Sequence, residues 1–244
     1  MADIDKIISL QDDELLNEID EYKREAERAL NRLDADIFDF IDSIEEGDIT
    51  QDAEIEELII ASGLTAMITG LLNEGYENGI DLSADLYRSL YNKDFEFSDE
   101  SISYLTSFKG IDANKFNQIQ QNMKDEINKA VIGVQSGTFT KRSAINLLRE
   151  HIKDTNVSIK TEIETRLSAF YRQAGNQLAI DAGFKKYRYV GPIIQTSREF
   201  CKKHVGEVRT ADEWNALGPE QGQIQPVFVY GGGYNCQHRF VGVE

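Results

Sequence analysis

The chain has 244 residues, 41% of them apolar and 28% charged, which is enough to bury a sizeable core and argues against wholesale disorder. Its net charge of -17 is concentrated at the front: residues 1–60 carry 21 acidic against 5 basic side chains, whereas residues 141–244 carry 11 against 15. A front segment of that sign repels a phosphate backbone, which excludes broad non-specific DNA binding by the whole chain but lets the mildly basic C-terminal part lie near DNA.

The opening Met-Ala-Asp-Ile-Asp-Lys has neither a basic leader nor an apolar run, so no secretory signal is expected. The longest uncharged stretch of the front half, residues 58–73, falls short of the roughly 20 apolar residues that a membrane span needs. No membrane partner is therefore expected. Two cysteines in a chain of this length do not make a secreted disulfide scaffold, and a reducing compartment follows.

In chain order, apolar residues at Leu15, Ile19, Tyr22, Ala26, Leu30, Leu33, Ile37, Ile41 and Ile44 step by three and four, drawing one stripe along a helix over about residues 10–46. Ser9 with Asp12 resembles its start signal and Gly47 its stop. A stripe this long and narrow wants a partner, either the chain's own later helices or another subunit. A second helix is expected over about residues 50–73, with small residues Ala61, Ser62, Gly63, Ala66 and Gly70 allowing close backbone approach, and Glu77-Asn78-Gly79 closing it.

Residues 81–110 give short, mixed signals around Leu86 and Leu90, with a loop over 92–98 and a brief helix from Ser98 to Gly110. Further helices are expected over about 114–134, from Thr138 or Thr140 to about 152, and over about 158–182, where Gly183 ends the last. Beyond Gly183 the pattern changes. Residues 186–190 alternate like a strand, 197–205 suit a short helix, and Thr210-Ala211-Asp212-Glu213 reads as a capping box before Trp214. Residues 226–230 and 238–243 are strand-like around Gly231-Gly232-Gly233.

The expected fold class is therefore mainly α with a small C-terminal α+β module and a long N-terminal amphipathic helix. The chain divides into an acidic helical region over 1–95, a helical region over 96–183 and a mixed module over 184–244.

The rare residues gather in that module: Trp214, all three prolines, both cysteines and two of the three histidines. Cys201 and His204 stand as C-x-x-H, and Cys236 and His238 as C-x-H. Thiolate sulfur and imidazole nitrogen suit tetrahedral zinc, and two ligand pairs from separate segments would staple a small module. Reduced, buried cysteines and a Cys201–Cys236 disulfide are the other two readings, and the residues alone leave all three open. Cys236 with His238 two residues on is not recognisable as a catalytic dyad, because a fold and not sequence neighbourhood places a base. The triple glycine lacks the Gly-Lys-Ser/Thr of a phosphate loop and reads as a turn. Arg198 and Arg239, each near one cysteine, would fork onto carbonyls or carboxylates if the two segments meet.

The order Tyr189-x-Gly191-Pro192, Thr196-x-Arg198-x-Phe200-Cys201, Gly206, then Gly232-Gly233-Tyr234-Asn235-Cys236-x-His238 resembles the C-terminal domain of the MuF-like minor head (head morphogenesis) proteins of tailed bacteriophages. The preceding helix, with Thr165-Arg166 and Asn176, is similar to that family's lead-in, so the resemblance covers residues 125–244. Two departures stand out. Gln237 occupies a position where members commonly carry Arg, and His204 matches no position of the pattern. The resemblance implies a non-enzymatic minor capsid protein of the virion, assembled in the bacterial host cytoplasm. It would sit in the head and portal region in multiple copies, bind the portal and other head proteins, and serve head assembly and DNA packaging or delivery. With the chain stopping at Glu244, no appended effector is expected. The alternative is a metal- or Cys-dependent processing enzyme centred on Cys201, Cys236 and His238.

Overall fold

The computed structural model describes the backbone of residues 4–45 and 52–243. The protein is mainly α, with a long N-terminal helix and a small C-terminal sheet. Helix α1 spans Ile4–Ser43, α2 Asp52–Ala61 and α3 Leu64–Gly70; a π-helical turn, Leu71–Gly75, leads into α4, Tyr76–Tyr91. Helices α5, Asp99–Gln135, and α6, Lys141–Asp181, follow. The remainder is β1 (Lys186–Val190), α7 (Glu199–His204), β2 (Val208–Arg209), α8 (Ala211–Ala216), α9 (Gly218–Gln221), α10 (Val227–Tyr230) and β3 (Arg239–Val243). Among the described residues no single helix is long and apolar enough to cross a membrane.

Two compact units form, both discontinuous in sequence. One gathers Met1–Ile19, Asn73–Gly110 and Ile163–Glu244; the other gathers Asp20–Leu72 and Ile111–Glu162. Because α1, α5 and α6 each give a stretch to both, the units cut across the three consecutive parts expected from the sequence.

In the second unit the α1 stripe is covered by the chain itself: Ala26, Leu30, Leu33, Ile37 and Ile41 are all buried. The expected stop at Gly47 and the expected start at Thr50 lie outside the described residues. The single helix expected over 50–73 is broken at Gly63, whose φ of +86° is left-handed. The break is held from α1. Arg32 Nε donates to the Ser62 carbonyl at 2.7 Å, and a Cβ on Gly63 would lie 2.7 Å from the same guanidinium. Ser62 Oγ meanwhile donates to the Ile59 carbonyl and accepts from Leu64 N–H.

Three other expected helix ends are passed through. Gly79 lies inside α4, with the Phe170 ring packed where a side chain would stand. Gly110 lies inside α5, because the buried spacing Leu105, Phe108, Asp112, Phe116, Ile119 runs on through it, and one helical glycine costs only about 1 kcal/mol. The gap between 152 and 158 closes because Thr155, polar but buried, fills the stripe between Ile152 and Ile159. Helix α6 is accordingly one element of 41 residues. Its first turn is capped as expected by Thr140, whose Oγ1 accepts from Ser143 N–H at 3.1 Å. The loop over 92–98 is also present.

The first unit carries an antiparallel sheet of order β2-β1-β3, with Tyr187 opposite Arg209 and Gly242, and Tyr189 opposite Phe240. Tyr189, Phe240 and Trp214 form its core against Phe200, Phe228, Leu178 and Tyr87. Full burial of a side chain the size of Phe240 contributes about 1.5–3 kcal/mol. Trp214 Nε1 donates to the Tyr187 carbonyl at 3.1 Å, so its one polar atom is satisfied. The capping box before Trp214 is complete, with Thr210 and Glu213 bonded reciprocally. Residues 227–230, expected as a strand, form the helical turn α10. Their backbone is satisfied within the turn and by side chains, not by a neighbouring strand: Val229 and Tyr230 N–H donate to the Pro226 carbonyl, Gln173 and Asn176 both donate to the Phe228 carbonyl, and Phe228 N–H donates to Asn215 Oδ1.

Candidate functional site

Three segments converge beside the sheet. Helix α7 brings Cys201, the glycine turn after α10 brings Cys236, and His238 stands just before β3. Both thiols are buried and free. Cys201 Sγ and Cys236 Sγ are 3.9 Å apart, and His238 Nδ1 lies 3.8 Å from Cys236 Sγ. The ligand atoms of all three lie within 4.8 Å of one another. Tyr189, central in the sheet, points its hydroxyl between the sulfurs, 3.2 Å from Cys236 and 3.5 Å from Cys201, and stacks its ring on His238.

The glycines make room for this. A Cβ on Gly232 would stand 2.3 Å from Cys201 Sγ, and its N–H donates to Cys236 Sγ at 3.1 Å. A Cβ on Gly191, where φ is +148°, would stand 2.7 Å from the His238 ring. These two residues of the family-like strings therefore act by having no side chain.

The loop bearing Cys236 is held from α6. The buried Arg172 guanidinium donates to three carbonyls, of His238 at 2.8 Å, Val229 at 2.7 Å and Cys236 at 2.7 Å. Thr165 Oγ1 donates to Asn235 Oδ1 and accepts Asn235 N–H, fixing a residue whose φ of +54° is left-handed. Arg198 and Arg239 were the two expected to fork onto carbonyls or carboxylates; Arg239 meets a carboxylate, that of Asp12, and the loop carbonyls are taken by Arg172. A lone Arg in an amphipathic helix gives no sign of this. Its one signal was position, on the lead-in helix between Thr165 and Asn176.

Of the four residues expected as zinc ligands, the structure brings together Cys201, Cys236 and His238 and leaves out His204. On α7 a step of three advances about 300° and about 4.5 Å, and at that point two carboxylates take the imidazole. His204 Nδ1 is 2.8 Å from Glu207 Oε2. Its Nε2 is 3.4 Å from Glu220 Oε2, near enough for attraction but not aligned as a hydrogen bond. The ring packs on Phe200 and Trp214. Arg239 also turns away from the thiols. It pairs with Asp12 of α1 and donates to Tyr171 Oη at 2.6 Å. Burial pulls this guanidinium down to about 9, and the Asp12 carboxylate is its counter-charge. Asp12, expected to help start a helix, is thus a buried ion-pair partner inside one.

The thiols are electrostatically unequal. The Cys201 S–H directed at Cys236 holds the Cys236 thiol well below its ordinary value; desolvation opposes this, and His238 and Arg172 add to it. The same contact, with burial in support, pushes Cys201 up. Burial also keeps Tyr189 protonated and able to donate.

Above the cluster opens a cleft of about 360 Å³, with Cys201, Cys236 and His238 in its lining and Glu164, Thr196 and Arg198 around them. Chemically, the arrangement offers two soft sulfur ligands, one of them more readily ionised than the other, and an imidazole, all in the lining of an accessible space. Compared with models of known protein families, with curated proteins and with solved structures, the chain gives no match in any of the three.

Proposed function

We propose that the chain is a minor head protein of a tailed bacteriophage that acts by docking on other head proteins, the portal first, in head assembly and DNA packaging or delivery. One observation supports the reading. The separate strings of the MuF-like resemblance, Tyr189 to Pro192, Arg198 to Cys201 and Gly232 to His238, meet at a single centre, and on the lead-in helix Thr165 holds the Cys236 loop while Asn176 holds α10, which leads into it. A motif that is one packed unit is what a docking module needs. Mass spectrometry of purified particles tests this: the protein is expected among the virion proteins and retained with immunoprecipitated portal. Its absence from purified particles overturns the proposal.

The cleft over Cys236 favours one other reading, a metal- or Cys-dependent processing enzyme. Cys236→Ser separates the two. An enzyme loses turnover and still enters the particle, whereas a docking module loses folding or incorporation.

A further inference from the structure

Docking on head proteins gives no use to two buried thiols and an imidazole meeting beneath an open cleft. We propose that Cys201, Cys236 and His238 form a three-ligand site for a borderline-soft divalent cation of the zinc class, with the fourth coordination position open to the cleft. Such a site stands whether or not the chain docks on a head protein.

Distances come first. Metal–sulfur bonds of about 2.3 Å and metal–nitrogen bonds of about 2.0–2.1 Å set tetrahedral neighbours about 3.8 Å apart for two sulfurs and about 3.6 Å apart for sulfur and nitrogen. The observed separations are 3.9 Å between the sulfurs and 3.8 Å from Cys236 Sγ to His238 Nδ1. A disulfide would need the sulfurs about 2 Å closer.

Charge and surroundings agree with this. The two sulfurs lie in hydrogen-bond contact, and a divalent cation would take the place of the proton between them, releasing it to solvent and holding both sulfurs as thiolate ligands. The donors already aimed at the sulfurs, Gly232 N–H and the Tyr189 hydroxyl, are of the kind that orient metal-bound thiolates. His238 is oriented by stacking on Tyr189. The ligand count follows from His204, whose Nδ1 bonds Glu207 and whose ring lies outside the cluster of ligand atoms, so it does not close the shell. With three protein ligands and a cleft above them, the arrangement matches that of sites that keep an exchangeable position and not that of closed structural sites.

The test titrates the reduced, metal-free full chain with Co²⁺ and follows its visible spectrum. The expected result is about one Co²⁺ per chain, with intense tetrahedral bands and a sulfur-to-cobalt charge-transfer band, all displaced by Zn²⁺. Added imidazole should shift the bands by entering the open position. Cys201→Ser and Cys236→Ser should each weaken binding and cut the charge-transfer band to about half or less, the double variant should abolish it, Tyr189→Phe should weaken binding about 10- to 100-fold, and His204→Gln should leave spectrum and affinity unchanged. Failure of the reduced wild-type chain to bind Co²⁺ or Zn²⁺ stoichiometrically overturns the proposal, and needs no variant to fold. A spectrum that His204→Gln changes as much as Cys236→Ser, or that imidazole leaves untouched, overturns the three-ligand open site.

Discussion

Arg172 offers the sharpest test of how the C-terminal loop is held. Its guanidinium is buried and makes three hydrogen bonds to the Val229, Cys236 and His238 carbonyls. Hydrogen bonds involving a charged group are worth about 1.5–3 kcal/mol each, so deleting three would cost roughly 4–9 kcal/mol if they added. A substitution also removes the several kcal/mol that it costs to desolvate the guanidinium. The expected net loss for Arg172→Met is therefore about 2–5 kcal/mol, a large part of the roughly 5–15 kcal/mol of a typical domain. Arg172→Lys keeps the charge but cannot span three carbonyls from one nitrogen, and should fall between. Trp214 is the chain's only tryptophan and is buried against Tyr189 and Phe240, so its fluorescence in a urea titration reports this part of the molecule. An Arg172→Met midpoint within about 0.5 kcal/mol of wild type would refute the reasoning, as would a lysine variant no better than methionine.

Asp12→Ala should cost about 3–5 kcal/mol in the same assay, because Arg239 is left charged and buried without its partner; no loss would mean that Tyr171 alone suffices for Arg239. Gly232→Ala puts a carbon 2.3 Å from Cys201 Sγ and should destabilise by about 1–3 kcal/mol, with a Tm drop seen by calorimetry. Glu213 is held below its ordinary value by the Thr210 backbone N–H, with the Thr210 hydroxyl next. A depressed carboxylate stabilises the fold above its unfolded value and loses that contribution as the pH falls through the folded one. Wild type should therefore exceed Glu213→Ala in stability at neutral pH, and the gap should close in acid below the ordinary carboxylate range. A gap constant with pH would show that Glu213 acts without its charge.

Much of the fold was legible because periodicity reports burial. The α1 stripe, the strands β1 and β3, the short α7 and the Thr210 capping box all follow from spacing and cap chemistry. The errors arose where a polar or glycine residue did an apolar residue's work. Thr155 is buried in the α6 stripe, Gly79 admits Phe170, and Gly110 costs too little to stop α5. At 227–230 the apolar run suggested a strand, but Phe228, at its centre, has Gln173, Asn176 and Asn215 as backbone partners, which no local pattern announces. At the site, the Cys and His types marked three of the converging residues. His204 was misplaced because sequence spacing carries no information on Glu207 and Glu220, and Asp12 and Arg172 were missed because their partners lie far along the chain.

The discontinuity of the first unit bears on how this sequence can be cut and moved. Residues 184–244 look portable, since Trp214, the three prolines and both cysteines are all there. Yet Thr165, Arg172, Gln173 and Asn176 lie before them on α6, Tyr87 bonds Gly242 N–H from α4, and Asp12 neutralises Arg239 from α1. A graft of the last sixty residues onto another carrier would arrive with orphaned carbonyls and an unmatched buried cation. The smallest transplantable piece is a composite of three stretches that would have to be joined by new linkers.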